Sequence, residues 1–209
     1  MEEKNKLKIV NFFSFTLKLI LVALFVAAVI KKDVVWIISG FIMLIVSLTP
    51  FFLKHFLNLP TPWLLDLLVS TALIFHIGAG VFNICEYFPI YNKFTHFFSA
   101  AVLAFLFLIV LYIVNRHHDE VMLNKSWIAI TLIAFTMAFG VIWEFLEFTT
   151  DLVFGLQTQP SLVDTMGDLF ADTLGGTFIA MLSFRLIEVD VFKKMTEEIN
   201  SYIKAIING

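Results

Sequence analysis

The sequence predicts an all-α fold, a polytopic membrane helical bundle of six transmembrane helices with N- and C-termini cytoplasmic. Three observations predict it. The 209 residues are 60% hydrophobic and 15% charged, with a mean hydropathy of +0.92, whereas a soluble domain carries about 25% charge and 45–50% apolar residues. Apolar runs of about twenty residues, the length that crosses a bilayer as a helix, recur along the chain. Lys and Arg are spread unevenly over the segments between those runs.

The runs lie at about 9–30, 34–53, 63–87, 95–114, 127–149 and 164–188. Open backbone groups are not tolerated in lipid, so each run is expected to be helical. The first follows Lys4, Lys6 and Lys8 as a signal peptide would. It exceeds the 7–15-residue core of such peptides and ends at Lys31-Lys32 without a small-x-small cleavage site, so a retained span is expected. Between the runs stand Lys31-Lys32-Asp33, Pro60-Thr61-Pro62, Pro89 with Asn92, Arg116 to Glu120, and Gln157 to Pro160.

With the N-terminus inside, the cytoplasmic segments hold Lys4, Lys6, Lys8, Lys54, Arg116, Lys125, Arg185, Lys193, Lys194 and Lys204. The outer segments hold Lys31, Lys32 and Lys93, and Lys18 lies within the first span. This asymmetry sets the orientation and predicts a multi-pass protein of the cell (inner/plasma) membrane. Residues 1–188 read as one six-helix membrane domain, and 189–209 as a short cytoplasmic amphipathic tail. A single cysteine, Cys85, excludes an internal disulfide and a cysteine-based zinc site. No basic stretch suggests nucleic acid, and no Gly-rich phosphate loop follows a strand.

Ionisable residues inside a span are costly, so they mark candidate functional positions. Glu144, Glu147 and Asp151 are spaced i, i+3, i+7 at the end of span five, within about 60° of one another on a helix. Thr136 and Gly140 extend that stripe with small residues, which allow close helix packing. Asp164, Asp168 and Asp172 open span six at i, i+4, i+8, beside Ala171 and Gly175. Asp164 is read as an N-cap, where Asp is favoured; Asp168 and Asp172 lie further inside. Span four opens with Tyr91, Asn92, Lys93 and Thr95, then places His96, Ser99 and Ala100 on one face. Span three places His76, Gly80, Asn83 and Glu86 along one face. Spans three and five end where four and six begin, so the acids and His96 are expected at one leaflet, the outer one. His117 and His118 read as solvated residues of a cytoplasmic loop.

Tyr91-Asn-Lys93-Phe-Thr-His96, Trp143-Glu-x-x-Glu147-x-x-x-Asp151, Gln157 and Asp164-Thr165-x-x-Asp168-x-x-x-Asp172-x-x-Gly175 together resemble the YjdF-like family of uncharacterised inner-membrane proteins. More distantly they resemble the VanZ-like family. The YjdF-like pattern places an aspartate before the lysine, where this chain has Asn92. The resemblance covers residues 91–180 and implies a membrane protein of the cell envelope.

Carboxylates gathered on one helix face repel unless a cation, shared protons or a basic partner neutralises them. The expected function is a metal-dependent enzyme acting on a lipid or lipid-linked headgroup at the outer leaflet. Its metal candidates are Mg, Mn, Ca or Zn. His96, Glu147, Asp168 and Asp172 are the favoured ligands, with Asp151 a further one, and Glu144 or Glu147 the general base. Asn83, Glu86, Tyr91, Lys93, Ser99, Trp143, Gln157, Asp164 and Thr165 are supporting candidates. An ion- or proton-coupled carrier, and a lipid- or metal-binding protein without catalysis, are the alternatives. Expected partners are membrane lipids and a lipid-linked small-molecule substrate. Oligomeric state is not legible.

Overall fold

Helices account for the regular structure, and no strand occurs among the described residues. The computed structural model describes residues 2–56, 63–117, 124–189, 192–194, 196–197, 199 and 201, with side chains from residue 12 onward except 53–54 and 116–117. Pro60-Thr61-Pro62, His118 and most of the expected amphipathic tail fall outside them. In chain order the helices are α1 (Glu2–Lys31), α2 (Val34–Ser47), α3 (Thr49–Phe56), α4 (Trp63–Val81), α5 (Ile84–Tyr87), α6 (Pro89–His117), α7 (Lys125–Phe154) and α8 (Leu162–Leu186). Six stretches are long and apolar enough to cross a membrane: Phe12–Lys31, Val34–Phe52, Trp63–Val81, Pro89–Asn115, Lys125–Phe154 and Leu162–Leu186. The fold class is therefore the expected all-α polytopic one.

The helix ends follow from local chemistry. Asp33 caps α2 by accepting from Trp36 N at 3.2 Å, and Asn124 caps α7 by accepting from Trp127 N at 2.9 Å. Ser161 caps α8 through the amide of Asp164 at 3.2 Å. The cap expected at Asp164 thus lies three residues earlier, where a hydroxyl meets the free amide. α7 stops at Gly155, whose φ of 66° is left-handed and whose amide donates to Asp151 O at 2.9 Å.

Two expected boundaries are corrected. The run 63–87 is not one helix: α4 ends at Val81, and Asn83 takes a left-handed conformation with φ 52° before α5. Asparagine enters the left-handed region more readily than most residues. His76, Gly80, Asn83 and Glu86 therefore do not form one helical stripe, and Asn83 and Glu86 are exposed. Pro89 does not separate spans but opens α6, since its fixed φ suits the first position and the amide it lacks has no intrahelical partner there. The segment Tyr91–His96 thus lies inside the helix.

The helices fall into two compact units, described separately. The first holds α1–α5 and the opening of α6 through Tyr91. Its core is Leu21, Leu24, Ala28, Met43, Ile77 and Val81, from α1, α2 and α4. Gly80 lets α4 approach α2 closely: a β-carbon there would lie 1.8 Å from the Trp36 ring, which packs edge-on to half-buried His76. Lys31 donates to the carbonyl of Val81 at the end of α4 and stands over the Phe82 ring. Lys18, which lies within the first span, pairs with Asp66 of α4 at 2.7 Å.

The second unit holds α6 from Asn92, with α7 and α8. α7 and α8 meet through small residues. A β-carbon on Gly176 would lie 2.0 Å from Thr136 Oγ1, and one on Gly175 would lie 2.4 Å from the carbonyl of Phe97 on α6. Phe107 and Phe135 stack with ring centroids 3.7 Å apart, joining α6 to α7. The opposite face of α7 exposes Phe145, Leu146, Phe148 and Leu152 while burying Glu144, as expected of a helix bathed in lipid.

Candidate functional site

Three helices of the second unit bring their polar ends together. The first turns of α6 carry Asn92, Lys93 and His96, the early turns of α8 carry Asp168 and Asp172, and the late turns of α7 carry Glu144, Glu147 and Asp151. Because α7 runs antiparallel to α8, its last turns lie beside the first turns of α8. The i, i+4 spacing of Asp168 and Asp172 turns both toward α6.

Asp168 is the most occupied member. It is fully buried and accepts from Asn92 Nδ2 at 3.1 and 3.0 Å, while Lys93 Nζ stands 2.9 Å from its Oδ1. Lys93 also donates to Asp164 Oδ1 at 2.6 Å and to the carbonyl of Asp164 at 2.9 Å. Those three acceptors use all three ammonium hydrogens. His96 lies between two aspartates: its Nδ1 is 3.3 Å from Asp172 Oδ1, and its Nε2 is 3.6 Å from Asp168 Oδ1. The first distance allows a weak hydrogen bond, whereas the second is too long for one.

Glu144 is 5% exposed. Its Oε2 and its backbone carbonyl both accept from Gln159 Nε2, but Oε1 is buried with no hydrogen-bond partner. His96, Glu144 and Asp168 each offer one ligand atom, and these atoms all lie within 4.8 Å of one another. One imidazole nitrogen with two carboxylate oxygens is a donor set that a divalent metal accepts. The charges point the same way. Among the described residues, the cationic partners facing Glu144, Glu147, Asp164, Asp168 and Asp172 are Lys93 and His96, so negative charge there is in excess even with the imidazole protonated. Burying such an excess is costly without a compensating cation or bound protons.

The remaining expected residues take other places. Glu147 accepts from Trp143 Nε1 at 2.8 Å and lies within electrostatic reach of Glu144, His96 and Asp168, just outside the set of three. Asp172 engages the far nitrogen of His96. Asp151 faces the link to α8, where Thr158 N, Thr158 Oγ1 and Gln159 N all donate to it. Asp164 pairs with Lys93. Tyr91 belongs to the first unit and donates to the carbonyl of Phe75 at 3.4 Å. Asn83 and Glu86 also belong to that unit. Ser99 and Thr165 are half-buried and Gln157 is exposed, and none of the hydrogen bonds among the described residues ties them to the cluster. The sequence reading missed Gln159 and undervalued Asn92. The only signal for Gln159 was its place in the short link between two acidic helices.

An uncharacterized protein of Thermotoga maritima is 31% identical over 164 residues, spanning 77% of this chain and 82% of that protein. No solved structure matches the chain. The family described as "Predicted membrane protein (DUF2238)" matches residues 13–188, which include every member of the cluster. Six apolar helices fit the multi-pass membrane location which that description implies, and the chain belongs to this membrane-protein family.

Proposed function

We propose that the chain is a membrane-embedded metal-dependent enzyme acting on a lipid or lipid-linked headgroup, with a divalent metal held by His96, Glu144 and Asp168. The observation that carries this reading is Glu144 Oε1, a buried carboxylate oxygen without a partner, within 4.8 Å of the ligand atoms of His96 and Asp168. A cation there satisfies the bare oxygen and offsets the excess negative charge in one step. Asp172 occupies Nδ1 of His96 and leaves Nε2 facing the set, the usual outer partnership of a metal-binding histidine.

One nitrogen and two carboxylates suit Mn or Zn, with Mg a further candidate. Ca is disfavoured because it takes six to eight oxygens. When bound, such an ion polarises a phosphoryl or carbonyl oxygen or acidifies a water. Glu147, beside the set and accepting from Trp143 Nε1, would be the general base. Positive-inside orientation puts the cluster near the outer headgroups, where a lipid-linked substrate presents its polar end. The more distant resemblance to the VanZ-like family, with its cell-envelope association, supports the same setting. The tight contacts of Gly176 on Thr136 and of Gly175 on Phe97 lie deeper than the cluster and favour a site reached from one side over a carrier.

The test is metal analysis of the protein purified in detergent, stripped with chelator and reloaded with Mn²⁺ or Zn²⁺. About one ion per chain is expected, lost in His96→Ala, Glu144→Gln and Asp168→Asn. Metal-dependent cleavage or transfer of a phosphorylated lipid headgroup in vesicles should accompany it. A wild-type protein that retains no stoichiometric metal would sink the proposal.

A further inference from the structure

The geometry points to Gln159 as a positioning residue that limits Glu144 to one free oxygen, with Asp151 holding Gln159 in place; this rests on the metal reading above. After Gly155 turns the chain out of α7, the link folds back onto the helix it has just left. Asp151 Oδ1 accepts from Thr158 N at 2.8 Å and Thr158 Oγ1 at 2.6 Å, and Oδ2 accepts from Gln159 N at 2.9 Å. One carboxylate therefore secures two consecutive link residues. Three of its four acceptor sites are engaged there, which accounts for Asp151 standing outside the ligand set despite sharing a helix face with Glu144.

Held by its backbone, Gln159 turns its side chain inward. Its Nε2 lies 2.9 Å from the carbonyl of Glu144 and also meets Glu144 Oε2. An amide nitrogen has two hydrogens, and both are engaged. The opposite amide orientation would set an acceptor against two acceptors, so the contact has a single consistent sense. The Glu144 carboxylate is thereby fixed, with Oε2 occupied and Oε1 bare and buried. Glu144 can then offer a metal one oxygen rather than two, which keeps coordination positions open for substrate or water. Outer partners of this kind typically contribute about 10–100-fold to metal affinity.

The experiment uses the full chain in detergent micelles. Mn²⁺ affinity is read from the electron paramagnetic resonance signal of the free ion, and coordination from the visible absorption of the Co²⁺-loaded protein. Gln159→Ala is expected to weaken Mn²⁺ binding about 10–100-fold. It should also lower the Co²⁺ absorptivity, because a freed Oε2 joins the ion and raises its coordination number, a change that loss of structural support alone does not produce. Gln159→Met, which keeps the length but removes the donor without adding charge, should weaken Mn²⁺ binding too and covers the case in which the alanine variant misfolds. Asp151→Ala should follow Gln159→Ala in direction. Wild-type affinity and spectrum in both Gln159 variants would overturn the inference while leaving the metal reading intact. A wild type that binds no Mn²⁺ or Co²⁺ overturns both.

Discussion

The carboxylate of Asp172 fills the space in front of Gly140: a β-carbon on residue 140 would lie 2.4 Å from Asp172 Oδ2. The same carboxylate faces Nδ1 of His96 at 3.3 Å. Close approach of α7 to α8 and orientation of the imidazole thus depend on one absent methyl group. Gly140→Ala should push Asp172 away from its position and release His96. The expected cost is about 1–3 kcal/mol, as for overpacking elsewhere, together with weaker retention of the proposed metal. Thermal unfolding in micelles and Mn²⁺ titration measure the two effects. An alanine variant that matches the wild type in both would show that the contact relaxes freely.

That contact was half legible in the sequence. Thr136, Gly140, Ala171 and Gly175 repeat at helical spacing, and a stripe of small residues points at another helix whatever the fold. The acids on the same faces, and the meeting of α6, α7 and α8 at one end, follow from span order alone. What each carboxylate does there was not legible, because it depends on partners set by backbone paths. Asp151 looked like a ligand until the link after Gly155 placed two amides and a hydroxyl against it. The break at Asn83 was invisible to hydropathy, since Phe82, Ile84 and Cys85 around it are as apolar as the helix interior. Asp66 escaped notice because its partner Lys18 lies 48 residues away.

The start of α8 separates two residue types that the sequence alone confuses. Ser161 carries the cap, whereas Asp164 carries the ion pair with Lys93 at 2.6 Å. Ser161→Ala should therefore cost about 0.5–2 kcal/mol by stranding the amide of Asp164. Asp164→Asn should leave the cap intact. Both partners of the Lys93–Asp164 pair are about a quarter exposed, so its loss should cost no more than about 1 kcal/mol. Chemical unfolding of the two variants in the same micelles decides the order. A larger loss in Asp164→Asn would return the cap to Asp164.

Gly155 isolates a purely conformational cost. Its φ is 66°, yet no atom of the described residues lies within 4 Å of where a β-carbon would stand. Gly155→Ala should lower stability by about 1–2 kcal/mol through backbone strain alone, and Gly155→Asn by less, since asparagine accepts the left-handed region. Equal losses for the two variants in thermal unfolding would indicate a steric clash instead.

The Lys18–Asp66 pair in the first unit joins α1 to α4. Lys18 Nζ lies 2.7 and 2.8 Å from the two Asp66 oxygens and 2.9 Å from Ser14 Oγ, and Ser14 in turn donates to Asp66. The side chains are only 22% and 12% exposed. Removing one partner leaves the other charge uncompensated in an apolar surround, so Lys18→Met or Asp66→Leu alone should each cost about 3–5 kcal/mol. Replacing both together removes the need for desolvation and puts apolar volume in its place, which is often neutral or stabilising. The double variant should accordingly recover most of the loss. The coupling energy from the four unfolding curves is the measurement, and additive losses would mean that the two charges do not depend on each other.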